Sequence, residues 1–382
     1  RAGENGQILT LSDAGGIEIE GSREDRILPV DGQDLYTTID VNIQKYATQL
    51  AWETMIKKEA KQVCIIVMKP DNGEILAMVN IPEYDLNNPY ELNYEPDEEE
   101  AGRDKMDLLN NMWRNFCIND TYEPGSIFKM VTATAALETK VVSLDDTFTC
   151  QGATVVSDRR IRCHKTTRHG TQDFTHTVYN SCNPAFVEWG RRVGVDNIYL
   201  YMGKLGLLSK TGIDLSGEAG TIIHKKENVG AVELATMSFG QSFQITPVQM
   251  LRATSAIING GKLVTPHFGM YTSTSDGSVV NEFAYSSTEA AIELDTSEKM
   301  KTILEGVVSE GGGTKAYIEG YSIGGKTATS QKLPRGSGKY ISSFIGFAPA
   351  DNPKVIAMCL IDEPTGVYYG GTIAAPVIKT LY

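Results

Sequence analysis

The chain contains no apolar run approaching the roughly 20 residues that cross a bilayer as a helix, and no secretory leader is visible at its start. It also lacks an excess of positive charge. Its 382 residues carry 35 lysines and arginines against 48 aspartates and glutamates, a formal charge of −13. That balance argues against nucleic acid or an anionic membrane surface as the main partner. What remains is an ordinary globular composition, 41% hydrophobic and 22% charged, enough for one large domain with a small appendage. The acidic run Glu95-Pro96-Asp97-Glu98-Glu99-Glu100 reads as a solvated loop.

Three short elements occur in order: Ser126-Ile127-Phe128-Lys129, Ser181-Cys182-Asn183 and Lys326-Thr327-Ala328. An alcohol becomes a useful nucleophile only with a base in reach, and residues three apart on a helix share a face, so Lys129 is the candidate base for Ser126. Burial beside Phe128 and Met130 would lower the pKa of that lysine. The second element offers a hydroxyl and an amide, and the third a cation, a hydroxyl and strand-like backbone. Glu123-Pro124-Gly125 ahead of Ser126 reads as a turn entering a buried helix.

Elsewhere, Asp40 is placed to cap a helix in which Ile43, Tyr46, Ala47, Leu50 and Ala51 recur at helical spacing. A hairpin follows, with Val63–Met68 and Glu74–Val79 about a Pro70-Asp71-Asn72-Gly73 turn. Helical patterns dominate from about residue 126 to 260. Strands return at Ser342–Phe347 and Val355–Ile361, which suggests one sheet closed by the two ends of an α/β (α+β) domain.

The three elements, in this order, resemble the signature of penicillin-binding proteins and class A β-lactamases. Their surroundings resemble class B penicillin-binding proteins, as do Thr38-Ile39-Asp40 with Ile43-Gln44, Gly73–Met78, Asn180 before Ser181, and Gly240-Gln241 with Ile245-Thr246-Pro247-Val248-Gln249. The likeness covers residues 34–382 as a transpeptidase domain, leaving 1–33 as the remnant of an N-terminal pedestal. It implies a penicillin-binding protein/serine β-lactamase-like fold, a central antiparallel sheet flanked by helices plus a helical subdomain. It also implies a D,D-transpeptidase that needs no cofactor for catalysis and cross-links peptidoglycan stem peptides through a Ser126 acyl-enzyme. Lys129 takes the proton and Ser181 relays one to the leaving amine. Asn183 holds substrate backbone, Lys326 and Thr327 orient the terminal carboxylate, and the N–H groups of Ser126 and Thr329 form an oxyanion hole. β-Lactams would acylate the same serine. The family further implies a single-pass anchor preceding this sequence, an extracytoplasmic location, and glycosyltransferase partners for the full-length protein.

Two rival enzymatic readings share the fold: a β-lactamase, for which no motif assigns a carboxylate to a deacylating water, and a non-catalytic β-lactam receptor. A third is remote. Gly320 to Thr327 satisfies the phosphate-loop pattern G-x4-G-K-T, but Pro334, Gly336 and Gly338 follow where a helix should open. Ala328 departs from the family, where glycine is usual, and its methyl group is expected to narrow the cleft and slow bulky β-lactams. The Leu333–Lys339 loop behind it is a possible gate.

Six cysteines are present. Cys64 and Cys359 sit in apolar strand-like runs, and Cys117 reads as core-facing. Cys150, Cys163-His164 and Cys182 form a possible structural zinc set near the active site, with Asp158 or His169 as replacement ligands. A disulfide between two of the three thiols, or simple buried thiols, are the other readings.

Overall fold

A computed structural model describes residues 2–17, 19, 25–96, 100 and 102–382. Part of the acidic run, Asp97 to Glu99, lies outside the described residues. The chain divides into two compact units, Arg1–Thr38 with Phe268–Tyr285, and Ile39–His267 with Ser286–Tyr382.

In the first unit the strand Asp34–Thr37 pairs antiparallel with Gly269–Ser273, which pairs in turn with Val279–Glu282. Tyr36 stacks on Tyr271 across that ladder at 4.4 Å between ring centroids. The division therefore falls after Thr38 rather than after residue 33, and it adds a segment from much later in the chain. The reason is strand pairing: a short strand finds its partner in a distant hairpin, which local sequence patterns do not reveal.

The second unit is built on a five-stranded antiparallel sheet in the order Gly324–Gln331, Tyr340–Ala348, Val355–Asp362, Gln62–Met68, Ile75–Ile81. The expected hairpin turn is present, with Lys69 and Glu74 bonded across it. Asp40 caps the helix Val41–Lys58 by accepting from the Asn42 and Ile43 amides. Ala47, Leu50 and Ala51 of that helix are buried with Val63, Ile65, Val67, Ala357, Cys359 and Ile361 in one core. Tyr46 instead stays exposed and donates to the Thr380 carbonyl. Helices cover the sheet's other face too, so alternate strand residues such as Cys64, Ile66 and Met68 are equally buried. That two-sided burial explains why these strands read as continuous apolar runs.

The helix Lys129–Glu138 is buried from Lys129 to Ala136 and packs against Asn183–Lys204, Pro247–Ile258 and Leu294–Ser309. Pro247–Ile258 is buried along its whole length. Thr246 and Gln249 close a reciprocal capping box at its start, at 3.2 and 2.9 Å, with Pro247 in the first turn where its missing N–H costs nothing. The region between 126 and 260 is less purely helical than its pattern predicts. Four short strands, Thr147–Cys150, Ala153–Val156, Arg159–Arg162 and Gly170–Asp173, form two small antiparallel ribbons within it. No helix of the described residues is long and apolar enough to cross a membrane.

Candidate active site

Ser126 sits in a 3-10 turn, Gly125–Ile127, one turn before the helix that begins at Lys129. Gly125 and Gly240 make this turn possible. Both have positive φ, +56° and +86°, and a Cβ on Gly240 would lie 2.0 Å from the Gly125 carbonyl oxygen. A Cβ on Gly125 would in turn strike Ser330 Oγ at 2.3 Å. The nucleophile turn is thus clamped between the Gly240 loop and the strand Gly324–Gln331, with Gly125 N donating to Gly240 O at 2.9 Å. Only glycine tolerates that approach.

Lys129 is fully buried. Its ammonium donates to the Ser181 carbonyl at 2.7 Å, the Ser181 hydroxyl at 3.0 Å and Asn183 Oδ1 at 2.6 Å. Lys326, also fully buried, donates to the same Ser181 hydroxyl at 3.0 Å. Ser181 therefore bridges the two lysines. Burial, and then the neighbouring Lys326 charge, hold Lys129 well below the usual lysine range, against an upward pull from Cys182 and Cys163. Burial alone brings Lys326 down to about 7. A deprotonated Lys129 gains a lone pair, and the Ser181 hydroxyl can both donate and accept, so a proton can move along this chain. Ser181 has φ +48°, a left-handed conformation uncommon for a non-glycine residue. Two bonds hold it there, Ser181 N to Val178 O and Cys182 N to Thr177 O, both 3.0 Å. Local strain concentrated at such a position is a frequent mark of function.

Lys326, Thr327 and Thr329 lie on the strand Gly324–Gln331, which forms the edge of the five-stranded sheet among the described residues. An edge strand leaves alternate backbone N–H and C=O groups without a ladder partner. Thr327 and Thr329 are half-buried on one side of it, while Lys326, Ala328 and Ser330 are buried on the other. Thr329 Oγ1 accepts from Gly370 N at 2.9 Å. Ala328 is 3% exposed and faces Gly125, 3.7 Å from where a Cβ there would sit. Its methyl group packs against the nucleophile turn, on the same side of the strand as Lys326. No helix follows Lys326-Thr327, so the phosphate-loop reading fails on the backbone itself.

The cysteine cluster forms, with one change of member. Cys150, Cys163, Cys182 and His169 bring their ligand atoms within 4.8 Å of one another, a separation that a tetrahedral ion with thiolates at ~2.3 Å can close. His164 is not in the set. His164 is exposed but stays close, its ring 5.3 Å from that of His169 and its side chain bonded to the Cys163 thiol; its ligand atoms do not converge with the three sulfurs. The turn that follows returns His169 instead, its Nδ1 3.4 Å from the Cys163 sulfur. Asp158 is likewise exposed and outside the cluster. The hydrogen bond from Cys182 pulls Cys163 down to about 3, toward the thiolate, and pushes Cys182 up. All six cysteines are free thiols, and Cys64, Cys117 and Cys359 are buried as expected of core residues.

Sequence reading missed Glu123. It is 9% exposed, accepts from Ser242 N at 2.9 Å and pairs with Arg335 of the loop that follows the edge strand. That loop is held again by Lys332, which pairs with Asp362 and Glu363 at 2.9 and 2.6 Å. A gate in this loop would have to break both attachments. A cavity of about 240 Å³ lies under it, lined in part by Tyr122, Glu123, Gln331 and Lys332. Glu123 precedes the nucleophile by three residues, a proximity that could have flagged it.

Comparison with known proteins gives the same picture. Residues 63–382 match the family model described as the penicillin binding protein transpeptidase domain. Stage V sporulation protein D of Bacillus subtilis is 37% identical over 99% of this chain, which spans 57% of that relative's length. A probable peptidoglycan D,D-transpeptidase, PenA of Neisseria flavescens, is 30% identical over 99% of this chain and 88% of its own. Among solved structures, penicillin binding protein 3 of Mycobacterium tuberculosis in its apo form superimposes with a TM-score of 0.81 at 25% identity, over 97% of this chain and 85% of that one. The same protein complexed with aztreonam gives 0.80 at 25% identity, with the same coverage.

Proposed function

The chain belongs to the penicillin-binding protein transpeptidase family, and from that premise we propose that it is a serine D,D-transpeptidase acting on peptidoglycan stem peptides. The observation that carries the reading is the hydroxyl of Ser181 held between two buried lysines, behind a nucleophile turn that only glycines permit. In the first step the Ser126 oxygen attacks the carbonyl of the D-Ala-D-Ala bond and its proton passes to neutral Lys129. The C–N bond then breaks, and the leaving amine receives a proton through Ser181. Lys129 points at Ser181 and Asn183 in the free protein, and catalytic hydrogen bonds of this kind tighten once substrate is bound. The N–H groups of Ser126 and Thr329 face the developing oxyanion. Lys326 and Thr327 hold the terminal carboxylate, and Asn183 the peptide backbone. An amine from a neighbouring stem then displaces Ser126 and completes the cross-link.

The same acyl-enzyme would form with β-lactams. Support comes from the mycobacterial neighbour, solved in complex with aztreonam. Hydrolysis of that adduct needs a positioned base for the attacking water, such as a free carboxylate. Glu123, three residues before the serine, is engaged by Ser242 and Arg335, which favours transpeptidation over β-lactamase activity. Mass spectrometry after penicillin tests the scheme. A long-lived adduct at Ser126, with transfer of a donor peptide to an amine, is expected; rapid loss of the adduct would identify a lactamase, and an adduct without transfer a receptor. The reading places the catalytic site on the extracytoplasmic face, as part of an anchored protein with glycosyltransferase partners.

We further propose that Cys150, Cys163, Cys182 and His169 hold a structural zinc ion. Bound there, zinc would neutralise the thiolates and fix the Ser181-Cys182-Asn183 loop. Metal analysis of the purified protein is expected to give one zinc per chain. Its absence, with Cys150 and Cys163 oxidised, would favour a disulfide.

A further inference from the structure

The segment from Asp158 to His169 contains Arg159, Arg160, Arg162, Lys165 and Arg168 against a single acid, in a chain whose overall charge is −13. All five cationic side chains are exposed. The strand Arg159–Arg162 pairs with Ala153–Val156 as an isolated ribbon, and strand alternation puts Arg160 and Arg162 on one of its faces. Arg159 approaches Asp158 at only 3.7 Å, and Arg168 bonds the neutral Gln151. Among the described residues Arg160, Arg162 and Lys165 have no ion-pair partner. Like charges gathered this closely raise each other's energy, and the protein does not neutralise them.

The position of this arm supplies the second observation. The Arg162 carbonyl accepts from the Asn183 amide at 3.3 Å, and Cys163, the next residue, is buried against Cys182. The cationic ribbon is therefore attached directly to the catalytic Ser181-Cys182-Asn183 loop. Whatever anion it gathers is brought to that loop.

We propose that the Arg159–Arg168 arm is a substrate-docking surface that binds the carboxylates of a stem peptide other than the terminal one, next to the catalytic loop. The proposal rests on the transpeptidase reading and extends it to specificity. The terminal carboxylate is met by the buried Lys326, whereas the arm meets acidic groups further along the peptide. Because the cations are exposed, their contribution is long-range attraction, which salt screens over about 8 Å at physiological ionic strength. The expected signature is a change in apparent affinity more than in the maximal rate of acylation.

The test uses the whole protein and follows acylation of Ser126 by mass spectrometry. The donors are a peptide with free side-chain carboxylates, the same peptide with those groups amidated, and penicillin. Arg160→Gln/Arg162→Gln/Lys165→Gln is expected to raise the half-saturating concentration of the free-carboxylate peptide about tenfold, with its limiting rate unchanged. The amidated peptide and penicillin should be unaffected. The charge-preserving Arg160→Lys/Arg162→Lys/Lys165→Arg should behave as the unaltered protein, which separates lost charge from misfolding. Equal losses with both peptides, or no loss with either, would overturn the proposal. Inhibition by inorganic polyphosphate with no change for the free-carboxylate peptide would also overturn it, in favour of a phosphodiester polymer. If the unaltered protein forms no adduct even with penicillin, the transpeptidase reading itself fails and the docking surface with it; an adduct with penicillin confines any failure to the arm.

Discussion

Two regions meet at the Ser181 loop and are built by opposite means. On one side lies the buried pocket of Lys129 and Lys326, whose positions come from packed helices and the sheet edge. On the other lies the cysteine arm, two short ribbons whose strands fully bury only Cys150 and Gln172. The first region is fixed by burial, which also tunes its lysines. The second has little core of its own, and an ion held by the proposed Cys/His set would staple it to the loop. The loop that carries Ser181 thus depends on two sorts of order at once.

Removing the nucleophile tests the packed side most severely. Ser126→Ala should abolish the penicillin adduct, and Lys129→Ala should slow acylation by about 10²–10⁴-fold, with circular dichroism showing the fold intact. An adduct that persists in Ser126→Ala would place the chemistry elsewhere. On the stapled side, Cys163→Ser or stripping of zinc by a chelator should slow acylation by roughly tenfold and increase hydrogen exchange across residues 150–183, leaving the sheet protected. Equal exchange in the sheet would show that the two regions are not separable.

Glu123 joins the nucleophile turn to Ser242 and to Arg335. Glu123→Ala should cost about 2 kcal/mol, because a buried amide and a partly exposed cation lose their acceptor. Thermal unfolding measures this, and an unchanged midpoint would mean the contact is idle. The pH dependence offers a finer test. Lys129 accepts a proton only when neutral, so acylation should rise with pH through its lowered pKa. The Lys326 charge contributes to that lowering. Lys326→Gln removes it, raises the Lys129 pKa, and should shift the acidic limb of the profile to higher pH whatever happens to the maximal rate. An unmoved limb would assign it to another group. The smallest effect is expected at Ala328→Gly: removing the methyl group beside the nucleophile turn should speed acylation by bulky β-lactams by about twofold, and no change would remove the expected narrowing.

The same contrast explains what could be read from sequence. Asp40, the Pro70–Gly73 turn and the terminal strands are local signals, and each produced its expected element. The three short elements were legible as local patterns, whereas the contacts of Ser181 with Lys129 and Lys326 span 52 and 145 residues of chain, and only the resemblance implied them. Sequence reading placed His164 in the cysteine set with His169 as a replacement, and the structure brings in His169, because the turn after Cys163 that returns it leaves no mark in residue spacing. The Glu123–Arg335 pair depends on segments far apart in the chain. So does the recruitment of 268–285 to the first unit. Neither leaves a local pattern.

The order of strands has a consequence for biosynthesis. Val355–Asp362 sits between Tyr340–Ala348 and Gln62–Met68, so roughly 290 residues of chain separate two strands that must pair. The hairpin of residues 62–81 cannot complete its sheet until Val355–Asp362 has left the ribosome. Until then the nucleophile helix exists without Lys326 and without the edge on which a substrate would lie. At ~5–20 residues per second, that interval lasts tens of seconds, with an apolar sheet half exposed. The contact of Lys326 with Ser181 is therefore late relative to the hairpin, and a frameshift before residue 355 would remove the middle strand of the sheet.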